Sequence, residues 1–291
     1  MFHRTKTLFA ATALAAGTLA TPAMAQDVTI GWTAWSDAEF VTKLAQRLME
    51  DEMGLEVELI QTDIAPQYQG VASGDIDVMM MSWQPNTHAD YVDQVGADTV
   101  NLGILYEGAQ LGWVVPNYVP EDQVASIADL TKDGIADQFD GTIQGIDPGA
   151  GLMRLSNEAM EVYGLDDYEL VSASGAAMTA ALDRAISRDE WIVVTGWTPH
   201  WKFGAYDLRM LEDPEGVLGG LERIMAVARE GFYQDSPEAA AFLARMYLPL
   251  ESLQSYMFDA RETSYDEAIS AYIEDNAARV NYWITGEMPS S

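Results

Sequence analysis

A repeat at one fixed offset constrains this chain more than any other feature. Gly31 and Gly145, Trp83 and Trp197, and Pro85 and Pro199 are each 114 residues apart. The patterns around them recur in the same order. Residues 28–31 read as a strand, 37–53 as a helix, 57–61 as a strand, 67–73 as a short helix and 77–82 as a third strand. Residues 142–145, 152–163, 168–172, 176–187 and 191–195 then repeat strand, helix, strand, helix, strand. Both units end in an apolar strand followed by Trp-x-Pro. Strands alternating with helices specify parallel α/β sheets. Three coincidences at one offset favour two similar α/β lobes over one continuous sheet.

From about Glu222 the pattern reads as helices only, over 237–247, 250–261 and 265–285, with apolar residues three and four apart. Ser236 suits the cap of the first of these and Pro237 its first turn. Their aromatic positions, Trp283 among them, read as core. The expected division is residues 26–113 with 222–291 in a discontinuous first lobe and 114–221 in the second. Residues 1–25 read as a secretory leader: Arg4 and Lys6, an apolar stretch over 8–20, and Ala23-Met24-Ala25 for cleavage near Ala25-Gln26. That places the mature chain in the periplasm, and no later segment has the roughly 18 uninterrupted apolar residues of a membrane span.

Charge and cysteine usage exclude several functions. There are 46 acidic against 15 basic side chains, a formal net charge of -31, which rules against nucleic acid because phosphate contacts need clustered Lys and Arg. Two readings of the acidity stay open, an ordinary exported protein or one from a saline habitat, and neither identifies a ligand. The absence of cysteine excludes a disulfide scaffold, a thiolate nucleophile, thiolate zinc sites and a lipid anchor on an N-terminal Cys. Beyond the leader only His88 and His200 remain, and no Gly-x-Ser-x-Gly elbow is present. Asp75 with Asp77 and Asp166 with Asp167 read as solvated turns, and Asp133, Asp137 and Asp140 lack the spacing of a known calcium loop. A non-catalytic protein without cofactor or metal is expected.

In open α/β sheets ligands bind beyond the carboxyl ends of the strands. Here those ends carry Trp32, Trp35 and Asp37, then Trp83 and His88, in the first unit. The second carries Asp147-Pro148-Gly149-Ala150-Gly151, then Trp197, His200 and Trp201. One such tryptophan is more often an interface plug; three at equivalent ends shift the balance toward an aromatic box for a quaternary ammonium. Three π faces at about 0.5–2 kcal/mol each give roughly 2–6 kcal/mol, whereas a micromolar complex needs about 8. A second group on the ligand must therefore be held. The Gly-rich turn before a helix offers outward first-turn N–H groups that favour an anion. It lacks the P-loop and dinucleotide fingerprints, so a carboxylate fits better than a phosphate.

Four segments carry a resemblance: residues 82–88, 145–151, 172–179 and 195–201, read as SWQPNTH, GIDPGAG, SASGAAMT and TGWTPHW. Over nearly all of the mature chain the sequence resembles the glycine-betaine-binding group of substrate-binding proteins from osmoprotectant ABC importers. The resemblance implies a two-lobed, type II-like periplasmic binding protein fold with ligand in the interlobe cleft. It implies lobes that close like a hinged trap, a monomer, and an inner-membrane ABC permease as partner. It puts Trp35, Trp83 and Trp197 around the trimethylammonium group, and His88 with the backbone N–H groups of Gly151 and Leu152 on the carboxylate. An extra residue between Trp35 and Glu39 leaves both Asp37 and Glu39 open as the acidic residue near the ligand. The expected cargo is glycine betaine or a close zwitterionic quaternary-ammonium or sulfonium osmolyte. The alternatives are choline, whose binding proteins lack the histidine and carry an extra aromatic near the position of Leu111, and a secreted hydrolase with a carboxylate pair in the cleft.

Overall fold

The structure, a computed structural model, describes residues 27–288; the leader expected over 1–25 lies outside the described residues. β1 (Asp27–Trp32) buries Val28 and Ile30 completely, with Thr29 half-buried between them. In α1 (Ser36–Met53), Phe40, Val41, Leu44, Ala45, Leu48 and Met49 recur at helical spacing and are buried. The helix stops at Gly54, whose φ of 67° suits a residue without Cβ. β2 (Glu56–Gln61), α2 (Ile64–Ser73) and β3 (Val78–Gln84) complete the first unit. β3 is buried on both faces from Val78 through Trp83, as in the interior of a covered sheet. β1 pairs in parallel with both β2 and β3, giving the order β2-β1-β3.

Beyond α3 (Ala89–Val95), β4 (Thr99–Pro116) and α4 (Ile135–Gln138), the arrangement is built again. β5 (Thr142–Gln144), α5 (Gly151–Tyr163), β6 (Glu169–Val171), α6 (Gly175–Ile186) and β7 (Val193–Thr198) form the second unit. Its parallel order, β6-β5-β7, matches the first. The Trp-x-Pro segments end β3 and β7 alike, and both X–Pro bonds are cis. The repeat read from sequence is thus a repeat of topology.

Antiparallel strands join the units. After α7 (Lys202–Ala205) and β8 (Leu208–Met210), β9 (Glu222–Arg229) pairs with β3 on one side and β4 on the other. β4 pairs with β9 as far as Ala109 and with β7 from Gln110, so this one strand runs from the first unit into the second. The sheet path is β2-β1-β3-β9-β4-β7-β5-β6, with β8 on β4. The remaining helices are α8 (Phe232–Asp235), α9 (Pro237–Arg245), α10 (Leu250–Glu262), α11 (Tyr265–Asp275) and α12 (Ala277–Thr285). They return to pack on β4 and α1. Trp283 is buried there, its ring centroid 6.1 Å from that of Tyr272.

Two expectations are corrected. The chain after Glu222 is not purely helical, because its first eight residues are β9. The apolar run from Ile224 to Ala228 is too short for its period to separate a buried strand from a buried helix. The helix expected over 265–285 is two helices, broken at Asn276, whose backbone (φ -114°, ψ 26°) leaves the helical region. The Asn276 side chain donates to the Tyr272 carbonyl at 3.0 Å, a local bond that competes with helix continuation.

Candidate ligand site

The carboxyl ends of β1, β3 and β7 converge with the turn after β5. Trp35 is the residue before α1, Trp83 and Trp197 lie near the ends of β3 and β7, and Gly151 and Leu152 open α5. All six residues singled out from sequence, Trp35, Trp83, His88, Gly151, Leu152 and Trp197, line one small cavity. Thr87, Leu111, Ile146 and Ala150 complete its wall. Trp32, also at the end of β1, does not line it.

Each ring is held by its indole N–H. Trp83 Nε1 donates to Met81 Sδ at 3.2 Å within its own strand. Trp35 Nε1 donates to Asp147 Oδ2 at 3.0 Å, and Trp197 Nε1 to Asp37 Oδ1 at 2.9 Å. The Trp35 and Trp197 rings meet edge to face, centroids 6.4 Å apart. Asp37 is fully buried and also accepts from the Tyr106 hydroxyl at 2.7 Å. Burial raises its carboxyl above the ordinary range, against the lowering effect of the Tyr106 and Trp197 bonds. Glu39 instead accepts from Lys43 at 2.6 Å one turn along the helix. Of the two acidic residues, Asp37 is therefore the one that touches a cavity-lining ring through a hydrogen bond.

The anion side is equally ordered. His88 Nδ1 accepts the Trp83 amide N–H at 3.1 Å. Burial pulls the imidazole down to about 3, with the Arg154 charge adding to the effect, so the ring is neutral and its proton sits on Nε2. The turn that carries it is fixed by the buried Glu222 at the start of β9, which accepts the Asn86 and Thr87 amides, each at 3.1 Å, and the Thr87 hydroxyl. The N–H groups of Gly151 and Leu152 are first-turn amides without an intrahelical acceptor. Gly151 is glycine for a close approach: a Cβ there would run into the Thr87 carbonyl of the first unit.

Two residues stand behind the box, and one of them, Lys202, escaped the sequence reading. Lys202 is fully buried, its Nζ 4.6 Å from the Trp197 ring centroid and without a hydrogen-bond partner. Burial lowers its ammonium to about 7, opposed by the Asp37 charge. His200, foreseen at the strand end, packs on Trp197 with centroids 4.7 Å apart, and its Nδ1 accepts the Lys202 amide at 3.1 Å. Among the described residues, no three His, Cys, Asp or Glu side chains gather to hold a metal ion, and no helix is long and apolar enough to cross a membrane.

Two α/β units of one topology, joined by antiparallel crossing strands and enclosing a cavity at their strand ends, define a two-lobed substrate-binding protein. The family described as the substrate binding domain of the ABC-type glycine betaine transport system matches residues 26–275, and the chain belongs to that family. The glycine betaine/carnitine transport binding protein GbuC of Listeria monocytogenes is 38% identical over 161 residues, 54% of this chain and 53% of that protein. That match spans about half the length of each. Lactococcal OpuAC, in its closed-liganded conformation complexed with glycine betaine, superposes with a TM-score of 0.81 at 34% identity, covering 89% of this chain and 100% of that one. The glycine betaine, L-proline-binding protein ProX of Borrelia burgdorferi gives 0.82 at 33% identity, covering 89% and 97%.

Proposed function

We propose that this protein captures glycine betaine, or a close zwitterionic quaternary-ammonium or sulfonium osmolyte, and delivers it to an inner-membrane ABC permease. One observation carries the reading: a single small cavity sets three indole rings beside a neutral histidine N–H and two first-turn amides. The rings suit a methyl-shielded cation, and the donors suit a carboxylate on the same molecule. Choline would leave the donors of His88, Gly151 and Leu152 without an anion, and Leu111 puts an aliphatic side chain in the wall. The protein acts as a periplasmic monomer after removal of residues 1–25, without catalysis. Its lobes are residues 26–113 with 222–291 and residues 114–221; the change of β4 from β9 to β7 at Ala109–Gln110 supports this division within a few residues.

Calorimetry of the purified mature chain against glycine betaine, dimethylsulfoniopropionate, proline betaine, carnitine and choline tests the reading. Micromolar or tighter binding of a zwitterion, with choline weaker, is expected. Choline binding ahead of every zwitterion, or no binding of any of them, overturns it.

A further inference from the structure

Two rings of the box are each finished by the opposite unit. Trp35 belongs to the first unit and its indole N–H ends on Asp147, in the turn after β5 of the second. Trp197 belongs to the second unit and its indole N–H ends on Asp37, in the first turn of α1 of the first. The bonds cross the cleft in opposite directions, and only Ser36 separates the donor Trp35 from the acceptor Asp37. Trp83 differs: its indole is satisfied by Met81 two residues away, inside the first unit. Other bonds across the cleft, Tyr91 hydroxyl to the Gly149 carbonyl at 2.8 Å and Arg154 to the Asn86 carbonyl at 3.1 Å, lie on exposed side chains and touch none of the three rings.

We propose that Asp37 and Asp147 are positioning residues that form a reciprocal pair of carboxylate–indole latches, making assembly of the aromatic box and closure of the lobes one event. Opening the cleft separates each carboxylate from its indole, so Trp35 and Trp197 lose the partner that sets their ring planes, while Trp83 keeps its own. In the closed form an anionic acceptor at the positive edge of each indole reinforces the negative face offered to a ligand cation. Asp37 is itself fixed by Tyr106 on β4, the strand that joins the units. The latch deepens the proposed function and rests on it, since it presumes that the cavity closes on a cation.

Asp147 is the accessible probe because it is only half-buried. Asp147→Ala should weaken glycine betaine binding about tenfold or more, the scale of a lost hydrogen bond to a charged group, through faster dissociation with an unchanged association rate. Asp147→Asn keeps an acceptor oxygen without the charge and should fall between Asp147→Ala and the unsubstituted chain. The ligand-free melting temperature should stay unchanged in both, because the bond belongs to the closed state. Indole N–H exchange measured by NMR should show Trp35 and Trp197 protected only with ligand and Trp83 protected in both states. In Asp147→Ala the Trp35 protection should vanish at saturating ligand. Failure of the unsubstituted chain to bind glycine betaine sinks the functional reading. Binding by that chain, with Asp147→Ala equal in affinity, dissociation rate and Trp35 protection, overturns the latch alone. Should Asp147→Ala not fold, Asp37→Ala, which removes the acceptor of Trp197, with the same exchange measurement at Trp197 decides the matter.

Discussion

At the scale of single residues, Trp197 shows how much support one ring of the box receives. Its N–H is held by Asp37, its face lies under the Lys202 ammonium and its edge meets Trp35 and His200. A ring so fixed offers a desolvated face, where a cation–π contact is worth about 2 kcal/mol. Trp83→Ala and Trp197→Ala should therefore each weaken betaine binding at least tenfold by calorimetry, and Trp283→Phe, in the C-terminal core, should leave affinity nearly unaltered. Unchanged affinity in both cavity variants would remove the aromatic box. His88→Ala deletes the one side-chain donor of the anion half, and losing a hydrogen bond to a charged group costs about 1.5–3 kcal/mol, roughly a 10- to 150-fold loss for betaine. Choline, having no carboxylate, should lose less. Because burial holds His88 near 3, far below its ordinary value, it is neutral from pH 5.5 to 8 and the variant's fold-loss should be the same at both ends. A cationic His88 would instead make the loss grow as pH falls through the ordinary histidine range; that outcome, or equal losses for both ligands, would contradict the assignment. Strand ends are where α/β sheets bind ligands, which brought Trp35, Trp83, His88, Gly151 and Trp197 forward among other candidates; the resemblance to the glycine-betaine-binding group is what narrowed the set to the six and added Leu152. Asp147 as the partner of Trp35 and Lys202 behind Trp197 were not assigned, since each role depends on how the two units meet.

At the scale of elements, the two helices and three strands of each unit were legible because their periods are clean and the second unit repeats the first. β4 was not. Glycines at 103, 108 and 112 interrupt its apolar pattern, and its register against β9 shifts three times, so alternation never persists over its 18 residues. β9 alternates in burial only from Glu222 to Ala226 and is then buried without a break to Ala228, too short a pattern to declare its period. Both are joining strands with no counterpart in the repeat, so the offset of 114 had nothing to say about them. The start of α5 is the element on which closure turns. Gly151 meets the Thr87 carbonyl of the first unit, and a Cβ there would also lie 2.7 Å from Thr87 Cγ2. Only backbone and a fixed turn stand opposite, so the lobes cannot yield locally. Gly151→Ala should keep the ligand-free melting temperature, since alanine is the better helix former at that position. It should also lower betaine affinity by a hundredfold or more, with small-angle scattering showing an extended molecule at ligand concentrations that compact the parent. A compact, tightly binding Gly151→Ala would show that the closed approach is softer than the contact implies.

At the scale of the whole molecule, charge and ligand act on different quantities. Without residues 1–25 the chain has 13 basic against 46 acidic side chains, a net charge near -33. Several of those basic groups, Lys43, Arg47, Lys132, Arg154, Arg229 and Arg261 among them, already sit in ion pairs. The surplus carboxylates therefore repel one another over the surface, and self-repulsion of this kind destabilises the compact state. Salt shortens the reach of that repulsion, from about 30 Å at 0.01 M to 10 Å at 0.1 M and 3 Å at 1 M. The cavity responds differently, because its ligand has no net charge and its walls are buried indoles, a neutral imidazole and backbone amides. Raising sodium chloride from 0.01 to 0.5 M should lift the ligand-free melting temperature by several degrees, most of it below 0.2 M. The betaine dissociation constant, measured by calorimetry across the same series, should move less than about threefold, since steering by net charge needs a charged ligand. A melting temperature that climbs as steeply from 0.2 to 0.5 M as below 0.2 M would mean that the acidic surface is fitted to concentrated salt, beyond simple screening. An affinity that falls in proportion to salt would mean that surface charge contributes directly to capture, and the enclosed-cavity account of binding would have to be given up.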